Sequence, residues 1–160
     1  MIRKKPWNRI NLPIYSISSK FGDMYNMNII TYTSAVSMQP KQIMVAIYND
    51  TKTLEIVNNS HLFVLQLLAA EQYRMVDLLG KKSGKKIDKI SRLEKRELII
   101  QWNGFKILKD ALAVIELKVK DTMQAGDHKL FLCDVIDYKN LNNGEELTLN
   151  VLREHNLIRI

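Results

Sequence analysis

The stretch NIITYTSAVSMQPKQIMVAIYNDTKT, Asn28–Thr53, decides how the rest of the chain is read. It holds two apolar runs rich in β-formers, Ile29–Val36 and Ile43–Tyr48. Between them lies the polar link Ser37-Met38-Gln39-Pro40-Lys41-Gln42, and after them the cluster Asn49-Asp50-Thr51-Lys52-Thr53. The pattern predicts a strand, a turn, a second strand and then a helix that starts near Thr51 or Thr53. Hydroxyls crowd the strand ends, at Thr31, Thr33, Ser34, Ser37, Thr51 and Thr53. Hydroxyls and free backbone N–H groups in such places suit a phosphate or a polar heterocycle. The plainer explanation is that Thr is a good strand residue and an ordinary helix cap. Taken alone, the stretch favours the plainer explanation.

Working outward, residues 1–27 are broken by Pro6, Pro13 and Gly22, with a short strand expected at Ile14–Ile17 and a turn at Phe21–Met24. Downstream, Thr53–Ser60 reads as a short helix stopped by Asn58 and Asn59. His61–Leu68 is an almost continuous apolar run of strand length, which implies burial on both faces. Glu71–Leu79 changes to helical spacing, and Gly80 stands where a helix C-cap belongs. The lysine-rich loop Lys81–Lys89 follows, then a charged helical turn over residues 91–97. Asn103-Gly104, set between Leu98–Trp102 and Phe105–Leu108, is a strong hairpin signal, because both residues tolerate positive φ. Ala111–Tyr138 has a period near two, so it reads as two strands joined by Met123–Asp127. Asn142-Asn143-Gly144 marks a turn, and Leu147–Leu152 and Leu157–Ile160 offer terminal strands.

Six or more strands with two or three short helices describe a mainly β barrel in a single domain. The regular strand–helix alternation of a doubly wound α/β sheet is missing. The length of 160 residues fits one domain with a real core. Apolar and charged fractions of 46% and 26% are ordinary for a globular protein. No run approaches the ~18–20 apolar residues that span a bilayer, and no apolar core follows the basic N-terminus. The single Cys133 fits a reducing compartment, so a cytoplasmic protein is expected.

The net charge of +7 is concentrated in Arg3-Lys4-Lys5 and in Lys81–Lys89. A solvated loop is the first reading of the lysines, an anionic small ligand the second and nucleic acid the third. No aromatic ladder, helix-turn-helix signal or zinc spacing accompanies them. There is no Gly-rich dinucleotide fingerprint, P-loop or nucleophile elbow. His61, His128 and His155 lie far apart, and no metal site is expected. Of the three, His128 has the most interest, because it follows Gly126-Asp127 at the mouth of a strand. It could contact a cofactor or donate a proton, or simply cap a backbone carbonyl.

Four segments in order carry a family resemblance. They are Asn28–Ser37 with Pro40 behind it, Val45–Thr53, Ser83–Lys89 and Gly126–Phe131. Together they span Asn28 to about Tyr138, between an N-terminal extension (1–27) and the C-terminal strands (139–160). The chain resembles the flavin reductase-like family, which implies an FMN-binding split β-barrel. The resemblance further implies a homodimer that binds FMN without a covalent link near the subunit interface, with NAD(P)H as hydride donor. Thr31, Tyr32, Thr33, Ser34, Ala35, Val36 and Ser37 would then face the isoalloxazine and ribityl chain. Asn49, Asp50, Thr51 and Thr53 would approach the phosphate together with Lys89, neighboured by Lys85 and Lys86, and Tyr48 would also belong to the cofactor site. His128 would orient the nicotinamide or stabilise the reduced flavin. The segment Ile43–Leu65 contains no arginine, so any phosphate contact from it must use Lys52, hydroxyls or backbone. Two other readings are a flavin-carrying electron-transfer or sensing protein without NAD(P)H turnover, and an anion- or nucleic-acid-binding barrel.

Overall fold

A computed structural model describes residues 4–158. Nine strands dominate these residues: β1 (Tyr15–Phe21), β2 (Met24–Ile30), β3 (Thr33–Met38), β4 (Lys41–Tyr48), β5 (Leu62–Leu67), β6 (Ile99–Trp102), β7 (Phe105–Leu108), β8 (Ala113–Ala125) and β9 (His128–Asn140). Four short helices accompany them: α1 (Lys52–Ser60), α2 (Met75–Leu79), α3 (Lys89–Lys95) and α4 (Leu149–Glu154). Single 3-10 turns occur at Pro6–Arg9 and Ala70–Arg74. The helices thus exceed the two or three expected.

Seven strands form one antiparallel sheet in the order β2-β1-β5-β8-β9-β4-β3, while β6 and β7 make a separate hairpin. Buried side chains from both halves of that order meet in one cluster. Ile17 and Ile30 of β1 and β2 join Ile43, Val45 and Ile47 of β4, with Phe63, Leu117 and Phe131 between. Strands so far apart in a flat sheet can share a core only if the sheet rolls up. β2 and β3 keep open edges, so the barrel is split. Each fully buried large apolar side chain here contributes about 1.5–3 kcal/mol to stability. A second cluster lies outside the roll, where Met27, Leu68, Leu79, Ile90, Leu93, Leu147 and Leu152 pack α2, α3 and α4 against the sheet.

Several expectations are corrected. The apolar run Ile29–Val36 is not one strand: Ile29 and Ile30 end β2, and the chain breaks at Thr31–Tyr32 before β3. The cause is a change of partner, since β2 pairs with β1 whereas β3 pairs with β4. Across the break Tyr32 O accepts a hydrogen bond from Ala46 N at 2.8 Å. Asn58 and Asn59 remain helical, and α1 instead ends at His61, in the left-handed region at φ 54°. The Ala113–Asn140 hairpin turns on Gly126–Asp127 alone, β8 running on through Ala125.

The C-terminal strands expected over 139–160 are also overturned. β9 does run to Asn140, but Leu149–Glu154 is helix α4. Thr148 caps α4 through its hydroxyl, which accepts from Val151 N, and Leu152 buries its apolar side. Leu157 and Ile158 are not strand, and the rest of that stretch lies outside the described residues.

Other expectations hold. Thr51 caps α1, its Oγ1 accepting from Leu54 N at 3.1 Å. Asn103 and Gly104 turn the β6–β7 hairpin at φ 48° and 78°. β5 is buried through Phe63, Val64, Leu65 and Gln66. The fold places three things side by side: the β2–β3 break, the β4–α1 corner and the loop between α2 and α3.

Candidate functional site

At this junction lies a cleft of about 520 Å3, a volume typical of small-molecule and cofactor sites. Ile29, Ile30, Ala46 and Leu79 supply its apolar lining, and Tyr32, Tyr48 and His128 its aromatic wall. β4 and β9 pair Tyr48 directly opposite His128, so the two rings meet edge to face at 5.5 Å. The Tyr32 ring, on the break, lies 5.1 Å from His128 on a tilted plane. Asp127 Oδ1 sits 2.7 Å from His128 Nδ1. A carboxylate there accepts a hydrogen bond from Nδ1–H, which leaves Nε2 as the free ring nitrogen.

The opposite end of the cleft is cationic. Lys52, Lys81, Lys82 and Lys89 line it against one carboxylate, Asp50. Asp50 is already paired with Lys85 at 2.5 Å, and the neighbouring ammonium holds its carboxyl below the usual range. Lys81 is engaged by Asp77 at 3.1 Å. Among the described residues, Lys52, Lys82 and Lys89 have no carboxylate partner within ion-pair distance.

Lys89 is the unusual one. It opens α3 behind the cap Asp88, whose carboxylate accepts from Ser91 N. Its side chain is only 4% exposed, and its Nζ donates to Leu79 O at 2.8 Å. Burial pushes the ammonium down to about 8. A buried cation with one neutral acceptor is poorly compensated, and a phosphate is the kind of group that would compensate it. The start of α1, with Thr51 and Lys52 on the cleft, adds a second positive element. The loop above is held close: a Cβ on Gly84 would stand 2.3 Å from Asn26 Oδ1. The donor set and the apolar–aromatic lining therefore fit a planar heterocycle that carries a phosphate.

Of the residues expected at the site, Thr31, Tyr32, Tyr48, Asp50, Thr51, Lys89 and His128 come together here. The others do not line the cleft. Thr33 Oγ1 donates to Met44 O, and Ser34 Oγ to Ala35 O. Ser34, Ala35 and Val36 are exposed along the edge strand with Ser37 half-buried beside them. Asn49 is tied to the β8–β9 turn, its N donating to Asp127 O at 2.9 Å and its Nδ2 to Gly126 O. Thr53 is buried and its hydroxyl accepts from Asn26 Nδ2 at 2.9 Å. Lys85 is spent on Asp50. Sequence reasoning missed Asn26 and Asn28, buried on β2, and Leu79 and Gly80, and it saw Lys81 and Lys82 only as part of a lysine-rich loop. The only signal for the asparagines was two amides in an otherwise apolar strand.

Elsewhere the chemistry is quiet. Cys133 is buried in β9, and burial pushes its thiol up to about 12, which makes it a poor nucleophile. No group of three or more metal-ligating side chains occurs among the described residues. No helix among them is long and apolar enough to cross a membrane.

Comparison with known proteins gives the family. The flavin reductase like domain matches residues 7–156. A high molecular weight rubredoxin of Moorella thermoacetica is 28% identical over 90% of the chain, which spans 62% of that longer protein. An FMN reductase (NADH), RutF, of Agrobacterium fabrum is 23% identical over 80% of the chain and 71% of its own length. Among solved structures, BorF, the flavin reductase component of a bacterial two-component tryptophan halogenase, superposes with a TM-score of 0.78 at 18% identity. That superposition covers 89% of this chain and 88% of BorF, and it shows a common fold. The chain belongs to the flavin reductase like family.

Proposed function

We propose that this chain is an oxidoreductase that binds FMN non-covalently and takes reducing equivalents from NAD(P)H. The observation that carries the proposal is Lys89, a buried cation with a single neutral partner beside an apolar and aromatic slot. Lys89, Lys52 and Lys82, with the start of α1, hold the phosphate. Ile29, Ile30, Ala46 and Leu79 take the ring, and Thr31 and Tyr32 border it. When bound, the flavin supplies hydride acceptance at N5 from the nicotinamide C4. His128, oriented by Asp127, offers its free Nε2 to the nicotinamide or to the flavin edge. Tyr32 and Tyr48 hold that imidazole in place and keep water from one side of it. The likeness to RutF, an FMN reductase (NADH), supports NADH as donor.

A homodimer is part of the proposal. β3 is an edge strand, and it leaves Val36 54% and Met38 88% exposed. Edge strands with bare apolar side chains are natural pairing surfaces. Residues Thr33 to Ser37, which do not line the cleft described above, would then stand at the interface near a flavin. The lone buried thiol fits a reducing compartment, and we place the protein in the cytoplasm.

The similarity to a rubredoxin supports a second reading, in which the chain carries flavin for electron transfer or sensing without NAD(P)H turnover. Stopped-flow mixing of the FMN-loaded protein with NADH and NADPH separates the two. Rapid bleaching of the flavin absorbance supports the reductase. A flavin that binds but stays oxidised supports the carrier. Purified protein without flavin absorbance or FMN affinity overturns both.

A further inference from the structure

A second cleft, of about 330 Å3, lies on the other side of α2. The two clefts share no lining residue: Leu78 of α2 borders this one, whereas Leu79 and Gly80 border the flavin cleft. One wall is the 3-10 turn Ala70–Arg74, which contributes Glu71 and Arg74. Arg96, at the end of α3, and Asp110, after β7, also line it. Met75, Leu78 and Leu98 make the apolar part.

Two features distinguish this cleft from an ordinary charged groove. First, it gathers two guanidinium and two carboxylate groups, all at exposed positions, and none of the four forms an ion pair or a side-chain hydrogen bond with another described residue, although the Arg74 guanidinium lies 5.6 Å over the Tyr73 ring. Second, Gln72 lines it and is 6% exposed, with its amide only half satisfied. Oε1 accepts from Ala69 N at 2.9 Å, while the buried Nε2 has no partner among the described residues. A buried amide N–H2 without a protein acceptor is uncommon in folded proteins, and a ligand or a bound water would supply the acceptor. The groups left over are donors at Gln72, Arg74 and Arg96, acceptors at Glu71 and Asp110, and an apolar surface between them.

We infer that this cleft is a binding site for a small zwitterion with an apolar side chain, such as a free hydrophobic α-amino acid. Its carboxylate is received by the guanidinium groups and the Gln72 amide. Its ammonium faces Glu71 or Asp110, and its side chain rests on Met75, Leu78 and Leu98. A simple carboxylate would leave the acid residues unused, and a simple amine would leave the donors unused. The site is independent of the flavin reading, because no group in it touches the flavin cleft.

The test is a titration of the full chain, with and without FMN, followed by proton–nitrogen correlation spectra. The probes are L-phenylalanine, N-acetyl-L-phenylalanine and L-phenylalaninamide. The expected result is saturable movement of the Gln72 side-chain and the Leu78 and Leu98 backbone signals with phenylalanine. Affinity should fall roughly tenfold or more for each probe with one charge blocked, the size of a lost charge-assisted hydrogen bond. Arg96→Gln and Asp110→Asn, both at exposed positions, should weaken phenylalanine while leaving the fold and the FMN titration unchanged. Three results overturn the inference: no saturable shift at this cleft, equal binding of all three probes, or binding that neither variant alters.

Discussion

Lys89 and Lys85 stand beside the same cleft and have opposite surroundings. Lys85 is on the outer loop, exposed to water and matched to the Asp50 carboxylate, which raises its proton affinity. Lys89 is on the inner wall, stripped of water and left with one carbonyl, and its proton affinity is lowered. An exposed pair contributes little, because solvent screens it and both chains lose freedom. A buried, half-compensated ammonium weakens the empty protein and strengthens it once an anion arrives. The difference teaches where to look for function in a lysine-rich segment. The lysine that is badly off without a ligand is informative, and the well-paired one is structural.

The largest expected effect follows from removing the inner lysine. Lys89→Ala should raise the dissociation constant for FMN roughly 10- to 100-fold, the size of a lost hydrogen bond to a charged group. Riboflavin, which lacks the phosphate, should hardly notice. Fluorescence titration with both ligands checks this, and equal losses would remove Lys89 from the phosphate site.

Gly84→Ala comes next. A methyl group 2.3 Å from Asn26 Oδ1 must displace that buried side chain, which also holds Thr53 Oγ1. A loss of about 1–3 kcal/mol is expected, by the cost of overpacking, together with weaker FMN binding as the loop moves. Thermal unfolding of the variant reads the first effect, and an unchanged midpoint would mean the loop yields freely.

A further signal lies in the pH dependence of the empty protein. Lys89 titrates near 8 in the folded chain, and a free lysine titrates near ~10.4. Between those values the unfolded chain binds more protons, so Lys89 makes the empty protein more stable as pH rises through that window. Lys89→Met should abolish this contribution, which chemical denaturation at several pH values can measure. The smallest effect is expected from Lys85→Ala. It should leave FMN affinity within about threefold, since an exposed pair contributes little. A loss as large as that of Lys89→Ala would reverse the contrast between the two lysines.

Much of the fold was legible where backbone chemistry is local. Asn103-Gly104 had to turn because positive φ is cheap for that pair, and Thr51 had to cap because it precedes a helical run after a strand. The break at Thr31–Tyr32 carried no such mark. Ile29–Val36 contains no Gly or Pro, and only the exchange of β1 for β4 as neighbour divides it. Leu147–Leu152 was ambiguous for a different reason: six mostly apolar residues suit either period, and burial of Leu152 beside α2 and α3 decides for a helix.

The candidate site divides the same way. Thr31, Thr51 and His128 drew notice as hydroxyls and an imidazole near strand ends and a turn, but the family resemblance gave them their site roles. Lys89 was named from the family resemblance, but its burial under Leu79 could not be read from a lysine-rich loop. Asn26 and Asn28 became visible only when β2 was separated from β3. Cleft walls assembled from segments far apart in sequence leave no periodic trace, so sequence reasoning sees one wall at a time.

The central claim, that a buried lysine receives a flavin phosphate, is tested most directly by titrating the purified chain with FMN and riboflavin from pH 7 to above pH 9. FMN phosphate, with a second pKa of about 6, is already about nine-tenths dianionic at pH 7 and essentially fully so above about pH 8, so a loss of affinity on going above pH 8 reports the protein. The account predicts that FMN binds more tightly than riboflavin at pH 7 and that this advantage shrinks as pH rises through the Lys89 value. An FMN preference that is absent at pH 7, or that does not change with pH, would contradict it.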